Sequence, residues 1–185
     1  MLLLRKEKIN QKSGLKLKQL IFYIPLRSVF RIPQFFFANL LQTMPVNSIH
    51  LFFQLIRCSL GQKKVLSQVP TEDDWNGIFL LAQEHTLIGV LFHAVKNLPA
   101  EQRPPLDLYF QWFALADKIK TLSQQVNKRT TEAVDKFEKD GFQCVVLKGQ
   151  GISLLYPDPL SRTPGDIDLW VMDDRKRVVD YVLAR

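Results

Sequence analysis

Apolar positions recur at helical spacing through most of the chain and change to a two-residue alternation only near its end. Asn47 to Leu60 (NSIHLFFQLIRCSL) predicts a short helix stopped by Gly61, and Lys63 to Pro70 reads as a linker. Thr71-Glu72-Asp73-Asp74 is a helix start, because the threonine hydroxyl can accept from first-turn amides and the acids suit the positive helix end. Trp75, Ile78, Phe79 and Ala82 follow at helical spacing. A second helix is predicted from near Thr86, with Leu87, Val90, Leu91, Ala94, Val95 and Leu98 as its stripe and Pro99 as its end; Arg103-Pro104-Pro105 is a loop. Leu108, Trp112, Leu115, Ile119, Leu122, Val126, Ala133 and Phe137 then alternate in steps of four and three, with Thr130 the polar member of the series. This is one helix from Leu106 to about Asp140, roughly 50 Å long at 1.5 Å per residue. Its pattern is that of a bundle or coiled-coil helix, hence scaffold rather than chemistry.

The period changes after Asp140-Gly141, a helix break. Gln143 to Leu147 is a short valine-bearing apolar run and predicts a buried strand. Lys148-Gly149-Gln150-Gly151 is a turn, Ile152 to Tyr156 a short helix, and Pro157 to Gly165 a proline-rich loop. Asp166 to Met172 alternates and predicts a second strand, and Asp173 to Arg185 a final helix. No internal repeat or low-complexity tract interrupts this order.

Composition is that of an ordinary globular chain, with 46% hydrophobic and 23% charged residues. The formal charge of +7 is unevenly placed: Arg5, Lys6, Lys8, Lys12, Lys16, Lys18, Arg27 and Arg31 stand against Glu7 alone in residues 1–50, and the remainder is neutral. The basic balance therefore describes the N-terminal segment, and nucleic acid is not an expected partner of the body. Leu20 to Leu41 is apolar and aromatic, but Pro25, Arg27, Arg31 and Pro33 interrupt it. It makes neither a good spanning helix nor a secretory signal. Residues 1–46 read as a poorly ordered basic and apolar extension, with a membrane-surface role for residues 1–43 as the competing reading and Met44 as a second candidate start. Cys58 and Cys144 are too few for a disulfide framework or a zinc cluster, and a reduced, cytoplasmic setting is expected. His50, His85 and His93 lack metal-pair spacing.

Side chains at i and i+2 of a strand share a face. Asp166 and Asp168 should therefore point together while Ile167, Leu169 and Val171 point to the buried side. Two carboxylates about 4 Å apart repel by roughly 4 kcal/mol at an effective dielectric near 20. A divalent cation removes that cost, and hard oxygen donors together with phosphates suit magnesium. A strand-start Asp-x-Asp can equally be solvated surface. In the turn, Gly149 lets backbone approach a phosphate and a following helix offers free amides; an ordinary strand-to-helix turn would also use glycine. Lys148 is either a phosphate contact or a rim charge, and Arg162 either grips a triphosphate or pairs with Asp158 or Asp166. Strand, glycine turn, helix, arginine loop and acidic strand, in that order, make up the set of parts that metal-assisted nucleotidyl transfer requires.

The run VVLKGQGISLLYPDPLSRTPGDIDLWV resembles the uncharacterised nucleotidyltransferase family of the DNA polymerase beta-like superfamily. Leu147, Lys148, Gly149, Tyr156, Pro157, Arg162, Asp166 and Asp168 match its pattern. Upstream, a tryptophan helix and the Ala82 and His85 positions resemble its helical N-terminal region, so the likeness covers about Ser48 to Arg185. It implies transfer of a nucleoside monophosphate from an NTP such as ATP to an acceptor, with Mg2+ or Mn2+. Asp166 and Asp168 would be catalytic metal ligands, and Lys148, Gly149, Gln150 and Arg162 the phosphate and nucleotide contacts. The implied fold is α+β, a helical region over 47–140 packed on an incomplete nucleotidyltransferase sheet over 141–185. Two departures stand out. Gly149-Gln150 replaces the superfamily's usual Gly-Ser or Gly-Gly. The superfamily's third carboxylate, carried on a later strand, has no counterpart before Arg185, where Asp173, Asp174 and Asp180 read as capping and solvated charges. The expectation is a C-terminally shortened chain whose own catalysis is in question. The alternative is a non-catalytic helical interaction module with a degenerate nucleotide site. Acceptor, nucleotide preference and oligomeric state are not legible.

Overall fold

The computed structural model describes residues 3–4, 20–24 and 46–184. They form an α+β fold, and the chain divides into two compact units that interleave along the sequence. Among the described residues, one unit holds 46–124 and 153–163 and is helical; the other holds 125–152 and 164–184 with the two short N-terminal strands. Most of the extension read over 1–46 lies outside the described residues. No helix among the described residues is long and apolar enough to cross a membrane.

The helical unit contains α1 (Val46–Ser59), α2 (Glu72–Glu84), α3 (Ile88–Val95), a 3-10 turn (Ala100–Gln102) and the first part of α4 (Leu106–Lys139). Gly61 follows α1 with φ +74°, as its stop role requires. Thr71 caps α2 in a capping box: its hydroxyl accepts from the Asp74 N–H, and the Asp74 carboxylate accepts from the Thr71 N–H. Asp74 is 3% exposed and accepts further bonds from Asn47 and Ser48, so the cap also fastens α1 to α2. The two helices meet at Gly77, where a methyl group would fall 2.8 Å from the Ser48 side chain. The long stripe places Trp112 and Ile119 in this core beside Trp75, Phe79, Leu91 and Val95. The indole N–H of Trp112 donates to the Ile88 carbonyl at 2.8 Å.

The helix predicted from near Thr86 to Pro99 is shorter, and the difference has a local cause. Thr86 takes φ +56°. The Thr86 and Leu87 N–H groups bond back to Gln83 and Ala82. This left-handed closure ends α2 and delays α3 to Ile88, and it is made by a β-branched residue where glycine is usual.

The αβ unit contains the second part of α4, β3 (Cys144–Leu147), α5 (Gly149–Ser153), β4 (Ile167–Val171) and α6 (Arg175–Leu183). Gly141, at φ +79°, ends α4, and Phe142 bonds back to the Phe137 carbonyl at 3.0 Å. β1 (Leu3–Leu4) and β2 (Leu20–Ile24) complete an antiparallel sheet in the order β1-β2-β4-β3. The strand at Leu20–Ile24 was not read from the sequence, although its alternating aromatic and branched residues suit one. The apolar run at 143–147 makes a strand but not a buried one: Val145 is 40% exposed, because β3 pairs with β4 along one edge. β4 is the better buried strand, with Ile167, Leu169 and Val171 packed beside Phe137, Phe142 and Val178. The short helix read from Ile152 starts instead at Gly149, so the glycine turn is itself the first helical turn. α6 begins after Asp174, whose carboxylate accepts from the Lys176 N–H, while Asp173 and Asp180 pair with Arg177 and Lys176.

Candidate active site

β3 delivers the chain into a sharp turn. Lys148 and Gly149 both have positive φ, +49° and +35°. For Lys148 that conformation is strained by roughly 1 kcal/mol, and the first turn of α5 holds it in place. The Ile152 N–H closes the turn on the Lys148 carbonyl at 3.2 Å. A methyl group at Gly151 would lie 2.9 Å from the Val146 carbonyl oxygen, so α5 folds directly back on the strand it leaves. A methyl group at Gly149 would lie 3.2 Å from the Asp166 carbonyl oxygen. The glycines therefore serve close backbone packing, and that packing sets the turn against the start of the acidic strand.

β4 alternates as expected. Ile167, Leu169 and Val171 are each 1% exposed, while Asp168 and Trp170 are half-buried on the opposite face. Asp166 is half-buried immediately before the strand, and it is not without partners. The register sets Asp168 opposite Leu147, the residue that leads into the turn. Lys148 Nζ accordingly stands 4.0 Å from Asp168 Oδ2, with the lysine side chain 69% exposed and the aspartate 15%. An ion pair so long and so exposed adds little stability. What it records is an ammonium resting at the edge of a carboxylate.

Two residues at this site escaped the sequence reading. Gln150 donates from Nε2 to the side-chain oxygen of Asn127 on α4, so its amide is engaged away from the turn. Nothing in the local pattern of α4 singled out Asn127. Trp170 lies two residues past Asp168 on the same strand face, and its indole nitrogen is buried with no hydrogen-bond partner. The i, i+2 rule that paired the aspartates could have found it.

The structure thus brings Lys148, Gly149, Gln150, Asp166 and Asp168 into one unit. Arg162 belongs to the other, on the segment 153–163. Its carbonyl accepts from Ser123 Oγ at 2.9 Å, and no ion pair joins it to Asp158, which lies in the same unit. Cys144, at the start of β3, is held above the usual thiol range by burial and then by the charge of Glu138, which keeps it protonated at neutral pH.

The sequence model of the family described as "Uncharacterised nucleotidyltransferase" matches residues 71–185. The chain belongs to this family. No curated protein and no solved structure matches it. The family match begins at the Thr71 cap and takes in both the helical segments and the β3–turn–β4 segment, so membership is not carried by the acidic strand alone. Nucleotidyltransferase membership gives the general reaction class, movement of a nucleoside monophosphate.

Proposed function

We propose that the chain binds a nucleoside triphosphate with magnesium, or manganese, on the Asp166–Asp168 side of β4 and moves its nucleoside monophosphate to an acceptor. The observation that carries this reading is the seating of the glycine turn on the backbone of Asp166, which joins a phosphate-sized bend to an acidic strand within one unit. The donor set fits the ion: two carboxylates on a short strand supply hard oxygens, and phosphate oxygens and water complete such a shell. Asp166 and Asp168 would hold the ion, which when bound offsets phosphate charge and aligns the triphosphate. Lys148, already beside Asp168 and largely exposed, is free to turn its ammonium to a phosphate oxygen. Gln150, tied to Asn127, keeps the turn in register in place of a hydroxyl contact. In the transfer an acceptor oxygen bonds the α-phosphorus as the bond to the bridging oxygen breaks, and pyrophosphate leaves with that electron pair.

A second reading has its own observation. Among the described residues no three His, Cys, Asp or Glu side chains gather as a metal-holding group. They also supply no third carboxylate to take the acceptor's proton. On this reading the chain binds the nucleotide without turning it over.

The discriminating measurements are thermal melting and label transfer. ATP with Mg2+ or Mn2+ is expected to raise the melting temperature, and Asp166→Asn with Asp168→Asn to abolish the rise without lowering the ligand-free melting temperature, because the substitutions relieve carboxylate repulsion. A rise that survives in the double variant takes the two aspartates out of binding and sinks the enzyme reading. Transfer of label from α-labelled NTP to any acceptor favours the enzyme; binding without release of pyrophosphate favours the second reading.

A further inference from the structure

The helical unit holds a cavity of about 180 Å3, open to solvent, between α3, α4 and the strap formed by residues 158–161. Its walls are fixed by backbone contacts. A methyl group at Gly89 would fall 2.2 Å from the Ser161 carbonyl oxygen, so α3 lies backbone to backbone against the strap. The Ser161 N–H and hydroxyl both donate to the Asp158 carbonyl, at 3.0 and 2.6 Å, and the Leu160 N–H donates to the Asp158 carboxylate at 3.1 Å. Ser123 on α4 donates to the Arg162 carbonyl at 2.9 Å and fastens the far end. A cavity whose walls are already ordered loses little to ordering when a ligand enters.

The lining joins an aromatic wall to charges of both signs. Phe92, buried, and Phe113, exposed, meet with ring centroids 6.0 Å apart. Lys96 at the end of α3 and Lys120 on α4 bring ammonium groups, and Asp117 a carboxylate one helical turn from Lys120. Opposite charges at that spacing ordinarily pair, yet none of these three side chains makes an ion pair among the described residues. His93 also lines the cavity, and its Nδ1 is buried with no hydrogen-bond partner. Trp75 has a like deficit, but within the packed core, whereas His93 borders open space. The carboxylates of Asp117 and Asp158 on one lining repel a simple acid, and the two lysines repel a simple amine. A zwitterion satisfies both signs at once. Size sets the rest: a cavity of about 150 Å3 holds one benzene ring, so this one takes a single ring with a short polar end.

We propose that this cavity binds a free α-amino acid with an aromatic side chain. The ring lies against Phe92 and Phe113, the carboxylate faces Lys96 and Lys120, and the ammonium faces Asp117. None of these residues is among those proposed for the nucleotide or its metal, and the site stands independently of the transferase reading.

The test is calorimetric titration of the full chain with L-phenylalanine, with hydrocinnamate, which lacks the ammonium, and with phenethylamine, which lacks the carboxylate. Phenylalanine is expected to bind saturably, and each of the other two about tenfold more weakly, since each loses one charge-assisted contact. Asp117→Asn should weaken phenylalanine about tenfold and should not weaken hydrocinnamate. Lys96→Gln with Lys120→Gln should weaken phenylalanine by about tenfold or more and should not weaken phenethylamine. Phe113→Ala should weaken all three ligands. The substituted side chains are exposed, so melting temperatures are expected to stay close to that of the wild-type chain. Asp166→Asn with Asp168→Asn should leave phenylalanine binding intact, so this site and the nucleotide reading fail separately. No saturation by phenylalanine at about 10 mM overturns the proposal, as does equal affinity for hydrocinnamate or phenethylamine. Wild-type affinity in the Asp117 and lysine variants, or a loss in them that is the same for all three ligands, overturns it as well.

Discussion

The two units treat polar groups differently. In the helical unit Gln102 brackets the N–H and carbonyl of Leu66, each at 2.9 Å, and Gln54 does the same for the N–H and hydroxyl of Ser67. Asp74 gathers bonds from Thr71, Asn47 and Ser48. Around these contacts lies the larger core, with Trp75, Ile78, Leu91, Val95 and Trp112 all 1% exposed or less. In the αβ unit the buried side of β4 is a smaller cluster, and the opposite side carries Asp168. Its turn is shaped by missing methyl groups at Gly149 and Gly151 and by one side-chain hydrogen bond, from Gln150 to Asn127. The lesson is a division of labour. The side chains of Gln102, Gln54 and Asp74 are turned inward and hold the helical unit together, while in the αβ unit Lys148 and Asp168 meet on the face of β4 opposite its core.

This contrast can be tested from its strongest point downward. Trp112→Ala deletes a fully buried ring that meets Trp75 and Phe79 edge-on at 6.0 and 5.2 Å, and also strips the Ile88 carbonyl of its donor. It is expected to lower stability by about 3–5 kcal/mol in urea unfolding. A loss under about 1 kcal/mol would mean that the helical core is not the main source of stability. Gly151→Ala forces a methyl group onto the Val146 carbonyl and is expected to cost about 1–3 kcal/mol and to remove the nucleotide-induced melting shift. A stable variant that keeps its shift would separate the turn from binding. Acid titration addresses the cap. Burial alone would raise the Asp74 pKa, but bonds from the Thr71 N–H and hydroxyl, Asn47 and Ser48 outweigh it and leave it below the ordinary carboxylate range. A depressed folded pKa means that this contribution is whole above the unfolded value, about 4, and is lost as pH falls through the folded one. Asp74→Asn should therefore destabilise the chain by about 1–2 kcal/mol at neutral pH and flatten the acid limb of its stability curve. An acid limb of the same slope in the variant would place the titrating group elsewhere.

Much of this was legible because it is local. The Thr71–Asp74 cap, the Gly61 and Gly141 stops, the α4 stripe and the one-sided burial of Ile167, Leu169 and Val171 each arise from rules that act within a few residues. The misreadings have equally specific causes. Thr86 closes α2 in a left-handed conformation that a β-branched residue rarely adopts, so its residue type did not announce the stop. Glycine at 149 and 151 signalled a turn, whereas close approach to the Asp166 and Val146 carbonyls made a helix of it. Val145 looked buried because an apolar run does not reveal which strand takes the sheet edge. At the site, Asp166, Asp168 and the glycine turn were visible as pattern. Asn127 and Ser123 were not, because each acts on a residue more than twenty positions away.

The interleaving of the units has a consequence for how the chain can be made and cut. Residues 153–163 belong to the helical unit yet come after the glycine turn, and α4 runs without a break through residues 124 and 125, where one unit gives way to the other. No single cleavage point can release either unit whole, and any attempt to express one alone must sever a continuous helix. During synthesis from the ribosome, the helices before residue 124 emerge well ahead of the strap that completes them, and they must persist until it arrives.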